Sequence, residues 1–156
     1  MEVDAMLADS VVSAEGKLYV QGGGWNVLSA ATIPARHPRI GLAVVVHVPW
    51  TATNQSHSFE VRIVDADANE IPLGDAPPGF ESPDGKIRRL GGEFNIGRPP
   101  QLPVGDEQVI PFAVNIDGMV FEQQGQYRIV ISIDGTDLKE LPIRVQQVAM
   151  AGPLVS

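Results

Sequence analysis

Period-two alternation of apolar and polar residues dominates this chain, and helical spacing is scarce. From His57 to Asp65, Phe59, Val61 and Ile63 share one face while Ser58, Glu60 and Arg62 share the other. From Gln126 to Asp134, Tyr127, Ile129, Ile131 and Ile133 oppose Arg128 and Ser132. Successive side chains of a strand point to opposite sides, so each pattern predicts a half-buried strand of an antiparallel sheet. Seven further runs follow the same logic with less contrast: Val3–Val12, Lys17–Val20, Trp25–Ile33, Ile40–Val48, Ile87–Ile96, Gln108–Ile116 and Leu138–Gln147. No eleven-residue window places apolar residues at i, i+3, i+4 and i+7 without Gly, Pro or a β-branched run.

Turn chemistry separates the runs. Glu15-Gly16, Asp84-Gly85, Asp117-Gly118 and Asp134-Gly135 lie between them, where Gly supplies the positive φ of a tight turn. About nine short strands predict an all-β, antiparallel two-sheet sandwich with immunoglobulin-like or C2-like Greek-key connections. It occupies residues 1–150 as a single domain, with 151–156 as a short tail. The Pro-rich stretches Leu73–Asp84 and Gly97–Gly105 read as surface loops. Gly125-Gln126-Tyr127, ahead of the second alternating strand, resembles the tyrosine corner of such sandwiches, in which the phenol ties a crossing connection to backbone.

Ile40–Val48 breaks the alternation. Leu42, Val44, Val46 and Val48 fill one face, while Ala43 and Val45 fill the other, with His47 at the end. A strand apolar on both faces is buried on both. A Pro-rich loop folding over it is the expected cover, and a homodimer is the alternative.

Composition narrows the function classes. The chain has 156 residues, enough for one self-sufficient core. Cysteine is absent, which excludes disulfides, zinc ribbons, iron–sulfur clusters and thiol catalysis. With 11 Lys and Arg against 19 Asp and Glu, the net charge is −8, adverse to binding nucleic-acid phosphates. The N-terminus M-E-V-D-A-M-L-A-D carries acid where a signal peptide needs base, and no apolar run approaches a membrane span. Cytoplasmic residence is the expectation.

Catalytic and metal chemistry find little support. Gly22-Gly23-Gly24 lacks the G-K-[ST] and following helix of a phosphate loop, so it reads as a sharp bend beside Trp25. Asp65, Asp67 and Asn69 alternate oxygen ligands in a hairpin, as in calcium-binding loops, but no Gly follows the third. His37, His47 and His57 fall ten apart. Pairing of the flanking strands through a Pro49–Ser56 loop would bring His47 near Ser58, yet no carboxylate has ligand spacing to the histidines. His57 and Asn54 are expected to bond the loop backbone. No G-x-S-x-G occurs. Arg36, His37, Arg39, Arg88, Arg89 and Arg98 form an anion-binding patch only if the fold unites them.

Four segments carry a resemblance: G-K-L-Y-V-Q-G-G-G-W (Gly16–Trp25), V-P-W-T-A-T-N-Q-S-H (Val48–His57), G-G-E-F-N-I-G-R-P-P (Gly91–Pro100) and G-Q-Y-R-I-V-I-S-I-D-G (Gly125–Gly135). In this order and over nearly the whole chain they resemble an uncharacterised bacterial family, frequent in actinobacteria, of small single-domain proteins. The resemblance implies a standalone β-rich domain and assigns no activity or residues. One departure stands out: a hairpin usually like D-x-D-G reads D-A-D-A-N-E at Asp65–Glu70, so Asn69 is expected to take the place of Gly.

The function these observations suggest is a non-enzymatic protein-interaction or structural module without a cofactor. Its candidate surface is Trp50, Asn54, His57 and Arg98, since Trp and Arg are enriched in binding hot spots. The alternatives are a calcium-dependent C2-like ligand or lipid binder using Asp65, Asp67 and Asn69, and a small hydrolase assembled from scattered residues.

Overall fold

The structure, a computed structural model, describes residues 1–149. The tail expected at 151–156 lies outside them. Twelve strands run along the chain: β1 Glu2–Ala8, β2 Ser10–Ala14, β3 Lys17–Gln21, β4 Val27–Ala30, β5 Ala35–Val48, β6 Ser56–Val64, β7 Gly74–Asp75, β8 Lys86–Ile87, β9 Arg89–Asn95, β10 Gln108–Phe121, β11 Gly125–Ile133 and β12 Thr136–Gln147. One sheet has the order β1-β5-β10 and the other β4-β12-β11-β6-β9, with β2-β3 and β7-β8 as separate pairs. The pairing is antiparallel except for β4, which runs parallel to β12. The fold is a β-sandwich of twelve strands rather than nine. The Val3–Val12 run breaks at Asp9, whose N–H bonds the Gln21 and Gly22 carbonyls, Ile87–Ile96 divides at Arg88, and the ends of the first Pro-rich loop pair as β7 and β8.

The core forms where the two alternating patterns face β5. Ile40, Leu42, Val44, Val46 and Val48 are fully buried, and they meet Phe59, Val61 and Ile63 of β6 and Ile129, Ile131 and Ile133 of β11. Each such side chain contributes roughly 1.5–3 kcal/mol by leaving water. Prolines sit where a ladder N–H is not needed: Pro111 is on the end strand β10, and Pro142 lies on β12 before β4 begins to pair with it.

Three turn and pairing expectations are corrected. Asp117-Gly118 is no turn: β10 continues past it in unbroken register with β5, Gly118 (φ +67°) standing opposite Pro38, which has no N–H to donate. β5 and β6 lie in different sheets, so Pro49–Gln55 crosses between layers and His47 is not beside Ser58. At Asp65–Glu70 the positive φ belongs to Ala68 rather than Asn69. By contrast Glu15-Gly16 and Asp134-Gly135 have positive φ at both residues and close two-residue hairpins.

The outer face of β5 is covered by the β2–β3 hairpin, not by a Pro-rich loop. Ala8, Val11 and Ala43 form a second buried cluster with Leu18 and Ala113 against it. Asn115 clamps the hairpin to β10: its Oδ1 accepts from the Val11 N–H (3.0 Å) and its Nδ2 donates to the Val11 carbonyl (2.8 Å). Gly41 permits this approach, because a Cβ there would lie 3.1 Å from the Ala8 carbonyl oxygen and Ser10 backbone. Val45 and His47, beyond the hairpin, are half-buried.

The Tyr127 hydroxyl donates to the Gln123 carbonyl at 2.7 Å, four residues upstream, while its ring packs edge-on against Phe121. This ties the β10–β11 crossing to the core. Tyr127→Phe is expected to lower unfolding stability by about 0.5–1.5 kcal/mol, the net worth of one hydrogen bond, measured by denaturant titration. An unchanged midpoint would deny the corner any energetic role.

Candidate functional site

β5 ends at Val48, and after Pro49 a single 3-10 turn, Trp50–Ala52, carries the chain toward β6. Asn54 closes the turn at φ +58°, its N–H donating to the Ile96 carbonyl at 2.7 Å. The β9–β10 connection is thereby drawn against the turn, and with it Arg98. The guanidinium lies 4.2 Å above the Trp50 ring. Its Nε donates to Thr53 Oγ1 and its Nη2 to the Trp50 carbonyl at 2.8 Å. Thr53 is buried and its hydroxyl donates to the same carbonyl at 2.7 Å. Arg98 is exposed, yet three contacts fix it. Trp50 itself is half-buried.

His57 lies beneath, 6% exposed, and belongs to the frame rather than the surface. Nε2 donates to the Ala52 carbonyl at 2.6 Å and Nδ1 to Asp134 Oδ2 at 2.7 Å. Both partners are acceptors, so both ring nitrogens must carry hydrogen and the ring is an imidazolium. The Ala52 carbonyl, then Asp134, raise its pKa against the opposing effect of burial. Asp134 is held below the usual carboxylate range by His57 and the Ser58 N–H. Thus Trp50, Asn54, His57 and Arg98 do meet at one end of the sandwich, with His57 inside and the Asn54 backbone, not its side chain, making the tie.

Beside this end a groove of about 260 Å³ opens between β9 and β10, lined by Phe59, Leu90, Gly92, Phe94, Phe112 and Val114 among others. Phe112 stacks on Phe59 with ring centres 4.8 Å apart and meets Phe94 edge-on at 5.4 Å. Gly92 stands opposite Phe59, on the inward side with Leu90 and Phe94, and a Cβ there would touch nothing within 4 Å. The groove is the space a side chain at 92 would fill. Its neighbour Gly91 differs: a Cβ there would meet the Phe59 carbonyl oxygen at 2.0 Å.

Other candidates disperse. Asp65 Oδ1 accepts from the N–H groups of Asp67 and Asn69, both at 2.9 Å, so this carboxylate organises its own turn. Among the described residues no group of three or more His, Asp or Glu is arranged to hold a metal. The basic residues form no common patch: Arg39, Arg62, Arg88, Arg89 and Arg128 each bind a carboxylate. Among the described residues Arg36, Arg98 and Arg144 bind none, and of these Arg98 is the one stacked on an aromatic ring. A larger cleft of about 640 Å³ runs between residues 65–75 and 117–127. Its Asp75 and Asp117 are held ionised, below the usual range, by Lys86 and Arg39. Among the described residues no serine, threonine or histidine lines it.

Residues 3–146 match a family of unknown function, DUF6941. The chain belongs to this family. No curated protein matches the sequence. Two solved structures are similar in part. One is a Pseudomonas fluorescens alkylpurine DNA glycosylase bound to DNA containing an abasic site analog, at 10% identity and TM-score 0.37, the match covering 91% of this chain. The chain spans only 30% of that enzyme's length. The other is an immunoglobulin-like protein from Pseudomonas aeruginosa, at 12% identity and TM-score 0.36, covering 93% of this chain and 95% of the other. No helix among the described residues of this DUF6941 member is long and apolar enough to cross a membrane.

The sequence of this DUF6941 chain points to no role for Thr53, Phe94 or Phe112, and it marks Asp134 as a turn residue and Phe59 as an inward strand position. Only the groove had a local signal: in L-G-G-E-F, period two puts Leu90, Gly92 and Phe94 on one face with a gap at its centre.

Two predictions follow from this geometry. His57 and His47, the latter held between Glu107 and Asp4, both have raised pKa values in the folded state. Their stabilisation is fully present below the unfolded histidine value of about 6.5 and is lost as pH rises through the folded values. Melting temperature should therefore fall as pH rises above about 6.5, and His57→Gln should flatten that slope. An identical slope in the variant would detach His57 from it. The glycines should diverge: Gly92→Ala is neutral or stabilising by up to about 1 kcal/mol, while Gly91→Ala costs about 1–3 kcal/mol by overpacking. Equal midpoints in denaturant would refute the contrast.

Proposed function

We propose that this chain is a non-enzymatic interaction module that receives a protein partner at the sandwich end bearing Trp50 and Arg98. Arg98 carries the reading. In a chain of net charge −8, a guanidinium fixed on Trp50 and Thr53 and bound to no carboxylate among the described residues is prepared for an anionic group from outside. Trp and Arg are the residue types that dominate hot spots, and a side chain already immobilised loses less entropy on binding.

Chemistry supports the non-enzymatic part. The ring nitrogens of His47 and His57 are engaged by acceptors, which leaves neither ring free as a general base. In the large cleft Asp75 and Asp117 are held ionised by Lys86 and Arg39, unlike a general acid.

The test is affinity capture from source cells with the full chain, beside Arg98→Ala and the Trp50→Ala, Arg98→Ala pair. Truncating a hot-spot side chain costs about 2 kcal/mol, roughly thirtyfold in affinity. Specific partners should be lost from Arg98→Ala while its melting temperature is kept. Partners retained by both folded variants would discard this surface.

A further inference from the structure

The partner's class can be read from what adjoins Arg98, and this step rests on the reading just given. We propose that the occupant is an extended, acidic segment of a partner protein that adds as a strand along β9, seating one apolar side chain in the Gly92 groove and one carboxylate on Arg98.

Among the described residues β9 is the end strand of the five-stranded sheet, so the backbone groups turned away from β6 have no ladder partner there. Such an edge is a template for strand addition. The facing end strand β10 carries Pro111, which has no N–H to donate, whereas β9 carries no proline. Side chains of an added strand alternate, so every second one points inward. Inward here means the groove, an apolar hollow walled by Phe59, Phe94 and Phe112. Its emptiness comes from Gly92, the residue at which β9 presents no side chain to that hollow.

Charge sets the register. Glu93 lies on β9 beside the groove and disfavours an acid there. Arg98 lies four residues beyond Phe94 on the same stretch of chain, at most about 14 Å of extended backbone. An apolar residue followed or preceded by Asp or Glu at a spacing of three to five satisfies both features. A fatty acid shares an apolar body and a carboxylate, but it makes no use of the β9 backbone groups, so the peptide is the occupant the geometry favours.

Random nine-residue peptides displayed on phage, selected on the immobilised full chain, test this. The selected consensus is then synthesised and titrated by fluorescence anisotropy. The expected result is a consensus with an apolar position and an acidic position three to five apart. Arg98→Ala and Gly92→Leu should each weaken binding tenfold or more. N-methylation of one alternate set of peptide amides should abolish binding, and of the other set should leave it intact. Binding lost in Arg98→Ala but indifferent to Gly92→Leu and to N-methylation would overturn strand addition while sparing the Trp50–Arg98 surface. Binding indifferent to Arg98→Ala would overturn both. No enriched peptide, or dodecanoate bound in a Gly92→Leu-sensitive manner without one, would overturn the proposal in favour of no ligand or a small amphiphile. Should Gly92→Leu fail to fold, the N-methylation pattern on the unmodified chain decides alone.

Discussion

The burial of β5 on both faces is the constraint from which the remainder of this structure follows. Its Ile40-to-Val48 file has no exposed side of use, since Leu42, Val44 and Val46 enter the main core while Ala43 lies under the β2–β3 hairpin. A strand so apolar must be central to its sheet, flanked by β1 and β10. With the strands β6 and β11 packed on its inner face, the chain after Val48 has to cross between layers. The turn at Trp50 stands at that crossing, so the candidate surface is a direct consequence of where the core ends. Loops on a rigid frame are the usual place for contacts, and here the frame begins one residue before the turn.

Much of this was legible from period and turn chemistry. Phe59, Val61, Ile63 and Ile129, Ile131, Ile133 declared their faces by alternation, and Asp-Gly and Glu-Gly pairs declared two hairpins. Tyr127 declared its corner through the G-Q-Y context. The misreadings have a common physical source, which is that they depended on what faces a segment rather than on the segment itself. Asp117-Gly118 has the composition of a turn, but opposite Pro38 the same positive φ is accommodated within a strand. The cover over Ala43 was sought in proline-rich chain, yet a hairpin clamped by Asn115 from a residue a hundred positions away does the covering. No local pattern specifies such a partner.

The same division applies to the candidate site. Trp50, Asn54, His57 and Arg98 could be nominated by residue type, and the fold does gather them. The bond from His57 to the loop backbone was readable, but the other roles were not, because they are fixed by partners distant in the chain. His57 is a charged framework residue only because Asp134, at the far hairpin, and the Ala52 carbonyl both face it. Phe112 and Phe94 make a groove only because β10 and β9 end up as facing edges of different sheets.

What remains is why an acidic protein keeps an uncancelled cation at this end. The 3-10 turn supplies the answer through its carbonyls. A helical turn ends with unsatisfied C=O groups and a partial negative charge, which favours cations. In this turn the Trp50 carbonyl accepts from Arg98 and Thr53, and the Ala52 carbonyl accepts from His57. Two cations are thus bound by oxygen dipoles. His57 additionally has Asp134, so its charge is balanced inside the protein. Arg98 has only dipoles and the face of Trp50, which hold the guanidinium in place without neutralising it. Carboxylates elsewhere silence Arg39, Arg62, Arg88, Arg89 and Arg128. Dipolar anchoring leaves Arg98 with both a fixed position and its full charge, the combination that an anionic partner requires and that an intramolecular ion pair would have removed.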